Sequence, residues 1–188
     1  MLAEIKTKIR GLIEDLEKSG FEYFTYTTSA IFRLAEENIT SLTSVLLNGE
    51  ELETGEYSFD SDTNKITITV TGLSSSDIIE VNFKYYKYSD TELQEFIRSA
   101  LVWISMFGHS ERDYELEDNT IYPVPENRDE DLIALIASIL IKPDYTTYRL
   151  PTVTVIYGGR MPKDQKIQKL LSRYTFGLGI TGVLEFDD

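Results

Sequence analysis

The spacing of apolar residues changes twice along this chain, and each change marks a border. In the first stretch Leu2, Ile5, Ile9, Leu12, Ile13 and Leu16 recur at steps of three and four, the stripe of an amphipathic helix that Gly20 is placed to close. Residues 21–88 turn to Thr, Tyr, Val, Ile and Phe between turn formers, which predicts strands near 29–34, 41–47, 56–60, 65–71 and 78–86. Asn48 and Gly49 supply the positive φ of a tight hairpin, and Asp62, Thr63 and Asn64 a side-chain-capped turn. Ile66, Ile68 and Val70 alternate with polar residues, as do Ile79, Val81, Phe83 and Tyr85, so the sheets have one packed and one wet face. At Ser89 the helical period returns. Ser89 and Glu92 match a capping box, Leu93, Phe96, Ile97, Ala100, Leu101 and Ile104 form the buried face, and Gly108 suits the end.

Beyond this helix an acidic loop is expected, since Pro123 and Pro125 exclude regular helix there. A second core helix over about 129–141 stops before Pro143. An isolated strand follows at 152–157, with a bend at Gly158 and Gly159 and a last helix from Pro162 to about Tyr174. The tail to Asp188 has three glycines and no period, and is expected to be mobile or ordered by a partner. The predicted fold class is therefore α+β. Residues 1–21 and 89–188 form a helical body of about four helices plus one strand, and 22–88 an inserted small antiparallel β-sandwich or barrel.

Composition narrows the function. There is no Cys, so disulfides and thiolate metal sites are excluded. The first twenty residues mix charges into every turn and lack the apolar core of a signal peptide. The longest apolar run, 132–141, is about half the roughly 20 residues of a membrane span, and no membrane role is expected. A formal net charge of -14 opposes adhesion to phosphate backbones and anionic lipids. The charge is uneven, with nine acids and two arginines in 109–131 and five bases and one acid in 160–174. Such asymmetry suits contacts between chains as readily as contacts with a ligand.

Several motifs have a chemical and a plain reading. Gly177, Gly179 and Gly182 spell a dinucleotide fingerprint, but it follows a helix and has too little chain after it to form another, so a flexible tail is the better account. Asp60, Asp62 and Asn64 open like a calcium loop, yet Lys65 and Thr71 stand where Gly and Glu are needed. His109, the only histidine, sits past a predicted helix end, where a surface role fits. No catalytic, metal or cofactor residue is singled out. The candidate sites are surfaces: the acidic loop with Glu111, Asp113, Glu115, Glu117 and Asp118; a basic last helix with Arg160, Lys163, Lys166, Lys169 and Arg173, facing a neighbouring subunit or DNA; and tail anchors Phe176, Leu178, Ile180, Val183, Leu184 and Phe186.

Two stretches carry a resemblance. The run from Leu47-Asn48-Gly49-Glu50 through Gly55-Glu56-Tyr57 to Asp77-Ile78-Ile79-Glu80-Val81 resembles small immunoglobulin-like β-modules of phage virion and bacterial surface or carbohydrate-active proteins. The helices around Leu93-Gln94-Glu95-Phe96-Ile97 and Leu132-Ile133-Ala134-Leu135, followed by a strand and a basic helix, resemble the body of tailed-phage head-to-tail connector (adaptor) proteins. That resemblance implies a non-enzymatic, ring-forming homo-oligomer in the virion neck, assembled in the bacterial cytoplasm. It would join portal to tail proteins, let DNA pass, and reach the portal with its tail segment. The alternative is a carbohydrate- or surface-binding β-module protein, with Tyr57, Tyr85 and Tyr88 as stacking residues.

Overall fold

The computed structural model describes residues 1–107, 113–159, 161–175 and 181–187. The protein is mixed α+β, with four helices and several antiparallel sheets among those residues. It divides into two units, one made of Met1–Asp15 and Asp90–Asp188, the other of Leu16–Ser89.

The first unit is organised by its most apolar helix. Helices α1 (Leu2–Leu12), α2 (Asp90–Phe107) and α4 (Lys163–Thr175) all pack on α3 (Asn127–Ile141). In α3 every residue from Leu132 to Ile139 is buried, because a helix apolar on all sides has no face to give to water. Helix α1 adds Leu2, Ile5, Ile9 and Leu12 from one face, at roughly 1.5–3 kcal/mol per fully buried aliphatic side chain. No helix among the described residues is long and apolar enough to cross a membrane.

Helix α1 ends earlier than its apolar stripe suggests. The Asp15 amide donates to the Arg10 carbonyl at 2.9 Å and Glu14 takes φ 58°, a Schellman-type stop that needs no glycine. Leu16, expected on the buried stripe, is 69% exposed, and the expected border at residue 21 or 22 falls inside strand β1 (Lys18–Thr25). Arg10 holds both connections of the first unit, donating to Asp15 at 2.5 Å and to Asp90 at 2.9 Å.

In the second unit β1, β3 (Ile39–Leu47), β4 (Glu50–Glu51) and β7 (Ile78–Tyr85) form a sheet in the order β1-β7-β3-β4, while β2 (Ile31–Arg33), β5 (Tyr57–Asp60) and β6 (Lys65–Ile68) form another in the order β2-β6-β5. All these pairs are antiparallel. Leu34, Ile39, Val45, Ile66, Ile68, Ile79, Val81 and Phe83 from both sheets make one core. Strands β1 and β7 pair from Lys18↔Tyr85 to Thr25↔Ile78, so the two chain ends of the unit leave one end of the sheet together, the geometry that an insertion requires.

The turns follow their chemistry. Asn48 (φ 53°) and Gly49 (φ 88°) link β3 to β4, and the Asn48 side chain also accepts from the Ile78 amide at 2.9 Å and donates to Asp77 at 2.9 Å. The Asp60 carboxylate accepts from the Asp62 amide at 3.0 Å and the Thr63 hydroxyl at 2.7 Å; these bonds, the hydroxyl's first, hold its pKa below the usual aspartate value.

Gly20 is a strand residue and not a helix stop. A Cβ there would stand 2.6 Å from Cε2 of the buried Phe83 ring and 3.2 Å from the Tyr85 ring. Gly20→Ala is expected to cost about 1–3 kcal/mol, the usual range for overpacking a core. Gly11→Ala, on an open helix surface, should add about 0.5–1 kcal/mol. Thermal melting of the two variants checks both signs.

Candidate functional site

The three predicted surfaces all lie in the helical unit, and the structure distributes them differently. The acidic segment is not an open loop. Strands β8 (Glu115–Glu117) and β9 (Thr120–Tyr122) form an antiparallel hairpin whose central Leu116 and Ile121 are buried, as period-2 alternation requires. Glu115 and Glu117 point outward, Asp118 takes φ 51° in the turn, and the Asp118 carbonyl accepts from Gln94 at 2.6 Å. Asp113 accepts from Ser105 at 3.1 Å. Glu111, like His109 and Gly108, lies outside the described residues.

The basic helix does not present one basic flank. Lys163 is exposed, but Lys166 is 1% exposed and donates to the carbonyls of Pro143 (2.6 Å) and Tyr145 (2.8 Å), with its ammonium 5.4 Å from the centre of the Tyr157 ring. Burial lowers its pKa from the ordinary lysine value, while nearby Asp144 opposes that. Lys169 donates to the Asp187 carbonyl, and Arg173 is half-buried with its Nε unpartnered among the described residues. Arg160 lies outside the described residues. Helical spacing put Lys166 and Lys169 together, but the turn 142–146 supplies the carbonyls against which Lys166 is buried.

The described end of the expected free tail is a strand. β12 (Gly182–Phe186) runs parallel to β11 (Val153–Tyr157), which pairs antiparallel with β10 (Thr147–Arg149), so the strand expected to be isolated is the centre of a sheet. Leu184 is buried, and Phe186 stacks on Tyr157 with ring centres 5.3 Å apart. Gly182 opens the strand at φ 78°, so the last glycine of the fingerprint starts a strand and not the helix whose N-terminus would hold a phosphate; Gly177 and Gly179 lie outside the described residues. Val183 is exposed; Phe176, Leu178 and Ile180 lie outside the described residues.

Two features were not foreseen. The first is a buried acidic cluster at the start of α3. Asp129 accepts from the Tyr114 hydroxyl (2.5 Å) and from the Tyr174 hydroxyl, Asp131 from Thr152 (2.5 Å), and Lys8 bridges Glu130 (2.9 Å) and Asp131 (2.8 Å). Burial pulls the Lys8 pKa down, but its bonds to Asp131 and Glu130 outweigh this and raise it. Burial, then the bond to Asp129, raises that of Tyr174. The acids suit the positive end of the helix dipole, and their donors make the cluster a structural clamp. Among the described residues no group of His, Cys, Asp or Glu is arranged to hold a metal ion.

The second is a groove of about 370 Å³ between α2 and the hairpin, floored by Leu101, Val102, Met106, Tyr114 and Leu116 and edged by Arg98 and Glu117. Val102 and Met106 are 52% and 69% exposed, and Phe107, Tyr122 and Val124 are also exposed in this unit. The signal was available: the buried stripe of α2 does not include Val102 or Met106, so these apolar residues had to face elsewhere. Comparison with family models and with curated proteins finds no match to this chain.

Proposed function

We propose that this protein is a structural, non-catalytic virion component, a ring-forming head-to-tail connector of the phage neck that joins portal to tail proteins and is assembled in the bacterial cytoplasm. On this reading the helical unit is the adaptor body and Leu16–Ser89 an immunoglobulin-like sandwich carried on it. The observation that carries it is the apolar groove with exposed Val102 and Met106 on the helical unit. A closed ring repeats one head-to-tail interface, so each copy needs an apolar socket and anchors to fill a neighbour's; Tyr122 and Val124 are exposed anchors of that kind. The net charge of -14 gives such a ring a surface to which passing DNA does not adhere.

With Lys166 buried and Lys169 bonded to the Asp187 carbonyl, this reading places the main contact in the groove and not on the basic helix. The test is to mix the purified chain with the portal protein of its own genome and image the product. Rings on the portal are expected for the natural chain and lost in Val102→Asp/Met106→Asp, with unchanged melting because both residues are exposed. Absence of rings with the natural chain, or rings undiminished in the variant, overturns the reading.

A further inference from the structure

The wet face of the sheet β1-β7-β3-β4 is not uniformly polar. Cross-strand register places Phe21 beside Asn82 and Ser44 in one row, and Tyr23 beside Glu80 and Leu46 in the next. Phe21 and Tyr23 are 64% and 59% exposed, with ring centres 5.6 Å apart in an edge-to-face pair. Large aromatic rings on a surface strand usually cover something, since leaving both in water forgoes the burial free energy of two large side chains.

The polar groups beside the rings are already oriented. The Asn82 amide donates to Glu80 Oε1 at 2.9 Å and to Ser44 Oγ at 3.2 Å, and the Tyr23 hydroxyl bonds to Glu80, which raises the tyrosine's pKa. This network uses the Asn82 donors and leaves acceptor capacity on Asn82 Oδ1 and on the Glu80 carboxylate. A ligand that completes it must bring hydrogen-bond donors, which the hydroxyls of a sugar supply. It must also not be anionic, because Leu16–Ser89 carries more than twice as many acidic as basic residues.

We infer that this face binds a neutral glycan: Phe21 and Tyr23 take the C–H face of a pyranose, and Glu80 and Asn82 accept from its hydroxyls. Aromatic walls with a few fixed polar groups are the general make-up of a small-ligand site. A protein partner would have to bring its own donor to the Glu80 carboxylate, and the sedimentation measurement below tests for one made of this chain. The site differs from the tyrosines that sequence suggested for stacking, since Tyr57 and Tyr85 pack against the core of the unit. It stands or falls independently of the connector reading.

Affinity electrophoresis of the full chain through gels containing dextran, soluble starch, hydroxyethyl cellulose or β-1,3-glucan tests it. Retardation by at least one of these is expected, reduced tenfold or more in Phe21→Ala/Tyr23→Ala, with the same melting temperature and full retention in the groove variant Met106→Asp. No retardation by any of the four, or equal retardation of the double variant, overturns the inference. So does a change in sedimentation of the double variant without glycan retention, which would assign the face to self-association.

Discussion

Removing residues 182–188 is expected to destabilise the helical unit by about 3–5 kcal/mol, because it takes away the buried Leu184, the Phe186–Tyr157 stack and the edge partner of β11. Leu184→Ala alone should cost about 2–5 kcal/mol, the range for emptying a leucine site in a packed core. The readout is the melting of the helical far-ultraviolet signal of truncated and full-length chains. An unchanged midpoint would show that the strand is an accessory. The expectation reverses the one drawn from glycine content: a tail that orders only on a partner would be removable without loss of stability, whereas a strand paired over five residues is part of the core it covers.

Lys166→Glu is expected to unfold the same unit. The ammonium sits inside the protein, bonded to the carbonyls of Pro143 and Tyr145, and so fastens the turn 142–146 between α3 and β10 to α4. A carboxylate there would face two carbonyl oxygens with no donor, an uncompensated buried charge whose cost is on the order of 3–5 kcal/mol, comparable to the whole stability of a small domain. Lys166→Met keeps the stem and loses only the bonds, so about 1–3 kcal/mol is expected, the cost of leaving buried acceptors unsatisfied. Lys163→Glu, at an exposed position on the same helix, should change stability by less than about 0.5 kcal/mol. Denaturant titration of the three variants gives this order; a Lys166→Glu chain as stable as Lys163→Glu would show that the buried contacts contribute nothing.

Both results concern places where local spacing and tertiary position disagree. The helices α2, α3 and α4, the five main strands between residues 29 and 86 and the Asn48-Gly49 hairpin were legible, because each is specified by a period or by a turn residue whose backbone preference is intrinsic. Strand β1 was misread because its alternation in Gly20, Glu22 and Phe24 is broken by Phe21 and Tyr23 on the wet face, where aromatic residues mask the pattern. The hairpin of β8 and β9 was hidden by its acids, although Leu116 and Ile121 alternate with polar neighbours as strand residues do. Of the candidate surfaces, Asp113, Glu115, Glu117, Asp118 and Lys163 hold the exposure that charge alone suggested; the α2 groove and the aromatic face were not named.

The sequence by itself determined the class of the fold, the return from strand to helix near Ser89, and most of the apolar core, since these depend on residues within a few positions of one another. Tertiary structure alone decided which lysine of α4 is buried, that Asp129, Glu130 and Asp131 lie inside, that Gly20 makes room for Phe83, and that the C-terminal strand pairs with β11. Each of these depends on a partner tens of residues away, Phe83 for Gly20 and Thr152 for Asp131 among them. A local period says which side of an element is apolar; it does not say what arrives to cover the other side.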